Sequence, residues 1–156
     1  MQTAVTAVPM TQLYEYAPKI TKVIDYGIPA EDVFSGKTPP PPEGARIDVY
    51  FEGPVTGTLR GRVKGVDYLL VRADGRVTLD IHAEITTDDE KRIALVADGV
   101  AIPVKGSSTF ELRENVTMTT SHPQYSWLNP LQIWAPGTVD LRTGEIRVKG
   151  YTAEPA

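Results

Sequence analysis

The stretch that decides the fold is Gly65-Val-Asp-Tyr-Leu-Leu-Val-Arg-Ala-Asp-Gly-Arg-Val-Thr-Leu-Asp-Ile-His-Ala-Glu-Ile-Thr86. Two runs of apolar and β-branched residues flank Asp74-Gly75, a dipeptide that favours a tight two-residue turn of type I′. Counting outward from that turn predicts the register: Ala73 faces Arg76, Leu70 faces Leu79, and Asp67 falls opposite His82. Alternate residues of a strand share a face, so Asp67, Asp80 and His82 are expected together. A carboxylate beside an imidazole fixes its tautomer, raises its basicity and steadies the imidazolium. The expected catalytic set is therefore His82 as general base, Asp67 as its partner, and Asp80 one diagonal step away. Simple amphipathicity points the other way. Tyr68, Leu70, Leu79, Ile81 and Ala83 on the opposite face resemble a conventional core, although Leu69 and Val71 share the Asp67 face.

Beyond the hairpin, apolar alternation with period two recurs and helical spacing is nearly absent, so the chain is all-β. Leu13 to Asp25 is expected as one or two strands interrupted by Pro18, and Ala30 to Phe34 as at most one helical turn. Thr38-Pro-Pro-Pro-Pro-Glu-Gly44 is a stiff polyproline-like connector. Ile47, Val49 and Phe51 alternate with polar neighbours, and Leu59 to Val63 makes a short glycine-flanked strand. Further strands are expected over Arg92–Ala97, Val100–Val104, Phe110–Ser121 and Leu131–Trp134. The last pair, Thr138–Arg142 and Glu145–Tyr151, is joined by Thr143-Gly144 and sets Asp140 opposite Arg147. Gly57, Gly61 and Gly65 fall in strand territory and suggest kinks in a barrel wall, not a phosphate cradle. Many antiparallel strands with short turns indicate a single antiparallel β-barrel, because full closure removes the exposed edges of an open sheet. Residues 1–156 form one domain, with 1–10 flexible and 27–45 a long loop or lid near one mouth.

With 16 basic and 20 acidic residues the formal net charge is −4, so no electrostatic footprint for nucleic acid or an anionic membrane is present. There is no cysteine, which excludes a disulfide framework, a thiolate metal site and a cysteine nucleophile. No secretory leader or apolar span of transmembrane length is seen, so a cytoplasmic location follows by default. Two histidines with no ligand spacing give no metal pattern, and neither a Gly-x-Ser-x-Gly elbow nor a calcium loop occurs. No cofactor is expected.

Phe51-Glu-Gly-Pro54, Gly61 to Gly65, Asp67-Tyr68, Arg72-Ala-Asp-Gly75, Leu79-Asp80, Thr86-Thr-Asp-Asp89 and Tyr125-Ser-Trp-Leu-Asn129 occur in one order. In that order and spacing the chain resembles the bacterial DUF3237 family, a domain of unknown function whose members are small lipocalin-like β-barrels. The resemblance covers roughly residues 46 to 152. It implies a calycin-like barrel with a pocket near the matched polar residues, and it brings no general activity. Two departures are His82, where an arginine is expected in many relatives, and the Pro39–Pro42 run.

A barrel of about eight strands can hold one small ligand. In His122-Pro-Gln-Tyr-Ser-Trp-Leu-Asn-Pro130, Trp127 can stack on a flat molecule and Asn129 can bond its oxygen, unless the loop merely plugs one barrel end. Tyr50 and Tyr68 are further candidates to line the pocket, together with Tyr14, Tyr16 and Tyr26; seven tyrosines in an all-β chain also reflect strand propensity. Two functions follow. One is an isomerase, cyclase or lyase that needs no cofactor and acts on an apolar, aromatic or polyketide-like molecule. The other is a carrier or sensor of a small hydrophobic ligand, and a homodimer is compatible with either.

Overall fold

The computed structural model describes residues 7–153, so most of the segment expected to be flexible lies outside them. Among the described residues are nine strands: β1 (Met10–Tyr16), β2 (Lys19–Asp25), β3 (Ala45–Gly57), β4 (Gly61–Val71), β5 (Val77–Thr87), β6 (Arg92–Pro103), β7 (Thr109–Thr119), β8 (Ile133–Asp140) and β9 (Glu145–Ala153). Consecutive strands from β3 to β9 pair antiparallel, and β1 closes the circuit by pairing with both β9 and β3. Eight strands thus make a closed barrel. The ninth, β2, continues past the Ala17-Pro18 corner and runs along β3, and its ladder pairing with β9 is the single step Lys19 opposite Glu145. Pro18 lacks the N–H a central strand needs, which is why the chain breaks step there.

Alternation decides what faces inward. Ala45, Ile47, Val49, Phe51 and Val55 of β3 are buried, as are Ile93, Leu95, Ala97 and Ala101 of β6. Two expected breaks do not occur. Residues 92–103 form one strand, because Gly99 continues the ladder opposite Glu114, and Ile133 runs unbroken to Asp140 through Pro136, which lies opposite Arg113. At the last hairpin Asp140 pairs with Glu145 and Thr138 with Arg147, while Asp140 accepts a 2.7 Å hydrogen bond from Ser108 Oγ. The expected Asp140–Arg147 pair is therefore absent, because the turn holds four residues instead of two.

The central hairpin also differs from expectation by one residue. Arg72 N–H donates to Arg76 O at 2.9 Å, enclosing the three-residue loop Ala73-Asp74-Gly75 with Gly75 at φ +87°. This is the three-residue hairpin with its glycine in the left-handed region. Asp74 favours it by accepting Arg76 N–H at 3.1 Å and pairing with Arg72 at 2.8 Å. The register becomes Val71↔Val77, Asp67↔Ile81 and Val66↔His82.

One half of the barrel is solid. Tyr14, Leu59, Val63, Ile85, Ile93, Leu95, Met118, Leu128 and Ile133 are at most 1% exposed and fill it completely. The other half is spanned by the loop after β2, which carries a single helical turn, α1 (Ala30–Phe34). Val33 is buried there, and Phe34 meets Phe110 edge-on with ring centroids 5.6 Å apart.

The corner at Pro18 rests on Gly53, where a Cβ would overlap Pro18 Cα and crowd Ala17 O. Gly53→Ala should cost about 2 kcal/mol, as overpacking against backbone typically does. Urea unfolding of the two proteins measures it.

Candidate active site

The open half of the barrel encloses a cavity of about 60 Å³, space for a handful of waters, so a bound organic molecule must be small or displace the Phe34 cap. Its walls are Leu69, Leu79, Ile81, Leu112, Phe51 and similar apolar residues. Three polar side chains reach it: Tyr16 of β1, Asp67 of β4 and Glu114 of β7. All three are buried, Glu114 to 1% exposure. Strand pleating brings them there. Glu114 sits in the row Phe110, Leu112, Glu114, Val116, Met118, and Asp67 in the row Val63, Gly65, Asp67, Leu69, Val71. Each is a lone acid at an inward position of an apolar alternation.

Their hydrogen bonds are sparse. Tyr16 Oη donates to Glu114 Oε1 at 3.0 Å, and Asp80 N–H donates to Asp67 Oδ1 at 2.9 Å. The second oxygen of each carboxyl has no hydrogen-bond partner among the described residues, yet neither is among the completely enclosed unpaired atoms. Those oxygens therefore border open space. Burial pushes Glu114 up to about 8, opposed by the Tyr16 hydrogen bond and reinforced by the Asp67 charge. Burial likewise pushes Asp67 up to about 7; the Asp80 amide opposes this, and the Asp80 and Asp48 charges add to it. Tyr16 stays a phenol, held well above its usual range by burial and by the neighbouring Glu114. Tyr14 stacks on it with centroids 5.6 Å apart and rings 8° from parallel. At neutral pH the pocket thus holds one protonated acid and one that is poised to exchange its proton.

The expected Asp67–His82 dyad is not formed. The one-residue longer turn shifts the register, and a shift of one moves a side chain to the other face. Asp67 points inward beside Ile81, while His82 stands outside, half exposed, with Nε2 3.0 Å from Asp80 Oδ1. Asp80 is also outside, opposite Asp98 of β6. Tyr68 is on the outer face as well, 5.7 Å from the His82 ring and covered by the Arg46 guanidinium at 4.7 Å. Tyr50 lies outside under Lys22 Nζ at 5.4 Å. Asn129 is committed to structure: its amide donates to Thr120 O and accepts from Thr120 N–H, both at 2.8 Å. Trp127 belongs to the 3-10 helix Pro123–Leu128 and is 42% exposed; its neighbour Leu128 is the side chain that enters the closed end. Of the residues proposed from sequence, Asp67 reaches the cavity; Tyr16 was one tyrosine among several, and Glu114 was missed. The visible signal for Glu114 was its place in an otherwise apolar alternating row.

Among the described residues no group of histidines and carboxylates could hold a metal ion, and no helix is long and apolar enough to cross a membrane.

Residues 18–152 match the model of a family described as a protein of unknown function, DUF3237. No curated protein matches the sequence. Among solved structures, a protein of unknown function from Clostridium acetobutylicum is similar at 19% identity and TM-score 0.78, covering 97% of this chain and 100% of that one. A beta-barrel like protein from Acinetobacter baumannii is similar at 20% identity and TM-score 0.74, with 98% and 100% covered. An enzyme from Penicillium herquei is similar at 19% identity and TM-score 0.58, with 99% and 100% covered. At these identities the likeness shows the fold.

The raised carboxyl pKa values have a thermodynamic consequence. In the unfolded chain both groups titrate near pH 4, whereas in the folded chain they hold their protons to about 7 and 8. Between those limits the folded state binds more protons, so stability falls as pH rises from about 4 to 8. Asp67→Asn combined with Glu114→Gln should flatten that decline. Its melting temperature at pH 8 should exceed the wild type's by on the order of 5 °C, read by calorimetry across pH. His82 stands half exposed on the outer face, and His82→Gln should change stability by less than about 0.5 kcal/mol in the same experiment.

Proposed function

The chain belongs to the DUF3237 family, whose description assigns no activity, and from its cavity we propose that it is an acid–base enzyme for a small apolar or aromatic molecule. The observation that carries this reading is the placement of Asp67, Glu114 and Tyr16 on the floor of an otherwise apolar chamber. A protein that only stored or carried an apolar ligand gains nothing from two buried carboxyls. Each costs desolvation free energy that an aliphatic residue of similar size avoids. Perturbed acids in a cleft are the usual mark of a site where protons move. Isomerisation, cyclisation and elimination are reactions that such a pair can drive by positioning and proton transfer. Tyr16 acts through Glu114. Its hydroxyl occupies Oε1, which leaves Oε2 as the atom that meets a ligand.

The test is turnover against a panel of neutral aromatic and polyketide-like compounds, followed by mass spectrometry. Asp67→Asn and Glu114→Leu should each lower turnover of any compound converted by roughly 10²–10⁴-fold, the usual worth of a positioned acid or base. Ligand affinity, measured by calorimetric titration, should change far less, since apolar contact dominates binding. Unaltered turnover in both variants would remove the acid–base role. Tight binding without conversion anywhere in the panel would leave a carrier.

A further inference from the structure

We propose that the cavity takes a small, neutral, enolisable carbonyl compound, with Asp67 removing the proton α to the carbonyl and Glu114 donating a hydrogen bond to its oxygen. This rests on the acid–base reading above and narrows it to a substrate class. Three features point there.

The first is division of labour between the two acids. Glu114 Oε1 already accepts from Tyr16, so the phenol fixes the carboxyl and directs its other oxygen toward the cavity. Held neutral by burial, that carboxyl presents an O–H, which is a donor. Asp67 is the less deeply buried of the two, 9% exposed against 1% for Glu114, so it is the more easily deprotonated; with Oδ1 taken by the Asp80 amide it offers Oδ2 as an acceptor. The site therefore shows a ligand one donor and one base. A carbonyl oxygen with an acidic C–H beside it requires that combination.

The second feature is placement. Asp67 is on β4 and Glu114 on β7, with β5 and β6 between them in the barrel wall. A base and a donor on separated strands of a barrel can address different atoms of one small molecule. The third is the surroundings. Among the described residues no cationic side chain lines the cavity, and its walls are apolar, so an anionic substrate would enter without compensation.

The step balances within the site. Asp67 carboxylate takes the α-proton; the C–H electron pair forms the new C=C bond, and the carbonyl π pair moves onto oxygen. The growing negative charge there is met by the Glu114 O–H, which acts as an oxyanion donor. The proton on Asp67 then returns to the same carbon, giving exchange, or to a conjugated one, giving a shifted double bond. No oxidant, reductant or second substrate is consumed.

The probe is cyclohexanone, with 3-cyclohexen-1-one as a second neutral ketone, each incubated with the full-length protein in D₂O and followed by NMR. Exchange of the α-protons above the buffer rate, and conversion of 3-cyclohexen-1-one to its conjugated isomer, are the expected results. Asp67→Asn should lower both rates by about 10²–10⁴-fold. Glu114→Leu, which keeps the pocket filled and so tolerates folding, should lower them by about 10²–10³-fold. Glu114→Gln should recover most of that loss, because its amide still donates, and a purely structural role for Glu114 would not produce that ordering. The carboxylate analogue 4-oxocyclohexanecarboxylate should exchange no faster than in buffer at pH 8. Ketone binding seen as line broadening without exchange would overturn the enolisable class, as would equal exchange in Asp67→Asn. In that case the acid–base reading stands or falls separately, by the turnover panel.

Discussion

Closure of the barrel by its first strand is the constraint on which the site depends. β1 enters between β9 and β3, pairing Tyr14 with both Gly57 and Gly150, and then the chain must leave the barrel at Ala17-Pro18. Gly53 lets that corner settle against β3, and Gly150 lets the Tyr14 ring pass where a Cβ would clash. Inward side chains of β1 therefore end at Tyr16, halfway along the barrel axis. That position is the boundary between the solid half and the open half. Were the strand to continue straight, β2 side chains would occupy the space above Tyr16, and no chamber would remain. Instead β2 is carried outside, mostly exposed, and only Ile20 contributes to the wall.

The remaining architecture distributes size along the barrel axis. Leucines, isoleucines and Met118 crowd the end sealed by Leu128, in keeping with the density of protein interiors. At the other end the strands carry Val77, Ala101 and Ile146, and closure is left to a loop with one helical turn. Phe34 covers the chamber by meeting Phe110, a contact between a loop and a strand rather than between two ladders. Loops are the elements that open at least cost. The same end that holds the acids is thus the end that can admit a molecule.

How far the sequence revealed this depends on which physical signal each element carried. Alternation over Ile47–Phe51 and Phe110–Met118 is strong, and it is enough for an all-β chain that closes. The family resemblance carried the barrel on other residues, the ordered motifs from Phe51-Glu-Gly-Pro54 to Tyr125-Ser-Trp-Leu-Asn129. Asp74-Gly75 was a weaker guide, because that dipeptide serves equally a two-residue turn and the last two positions of a three-residue one. Asp74 favours the longer one, its carboxylate accepting the backbone N–H of Arg76, and a side-chain bond of that kind has no periodic signature. One residue of register then reversed the hairpin: Asp67 went in, and His82, Asp80 and Tyr68 went out. The continuity of β6 through Gly99 was hidden for a similar reason, since glycine within a ladder resembles a break. Glu114 needed no register at all. Its row of apolar neighbours at i±2 and i±4 places it inside, a signal that owes nothing to either histidine.

Two aspartates one strand apart show what separates a structural acid from a working one. Asp48 of β3 faces outward opposite Tyr68, covered by Arg46 and Tyr26. Its burial alone would raise its pKa. Hydrogen bonds from the Arg46 guanidinium at 2.9 Å and the Tyr26 hydroxyl at 2.5 Å outweigh that and hold it lower than usual. It is a permanent anion, and through Tyr26 it ties the start of the loop after β2 to the barrel wall. Asp67, opposite Val49 on the neighbouring strand, has one backbone amide and no cation, so burial wins and its proton is retained to about pH 7. Both are aspartates shielded from solvent, Asp48 beneath side chains on the outer face and Asp67 within the barrel. The difference lies in whether the fold supplies a compensating charge, and the barrel supplies none to the acids it encloses. An apolar interior with no cation in the cavity lining makes both protonation states of Asp67 accessible near neutrality, which a base that must also return its proton requires.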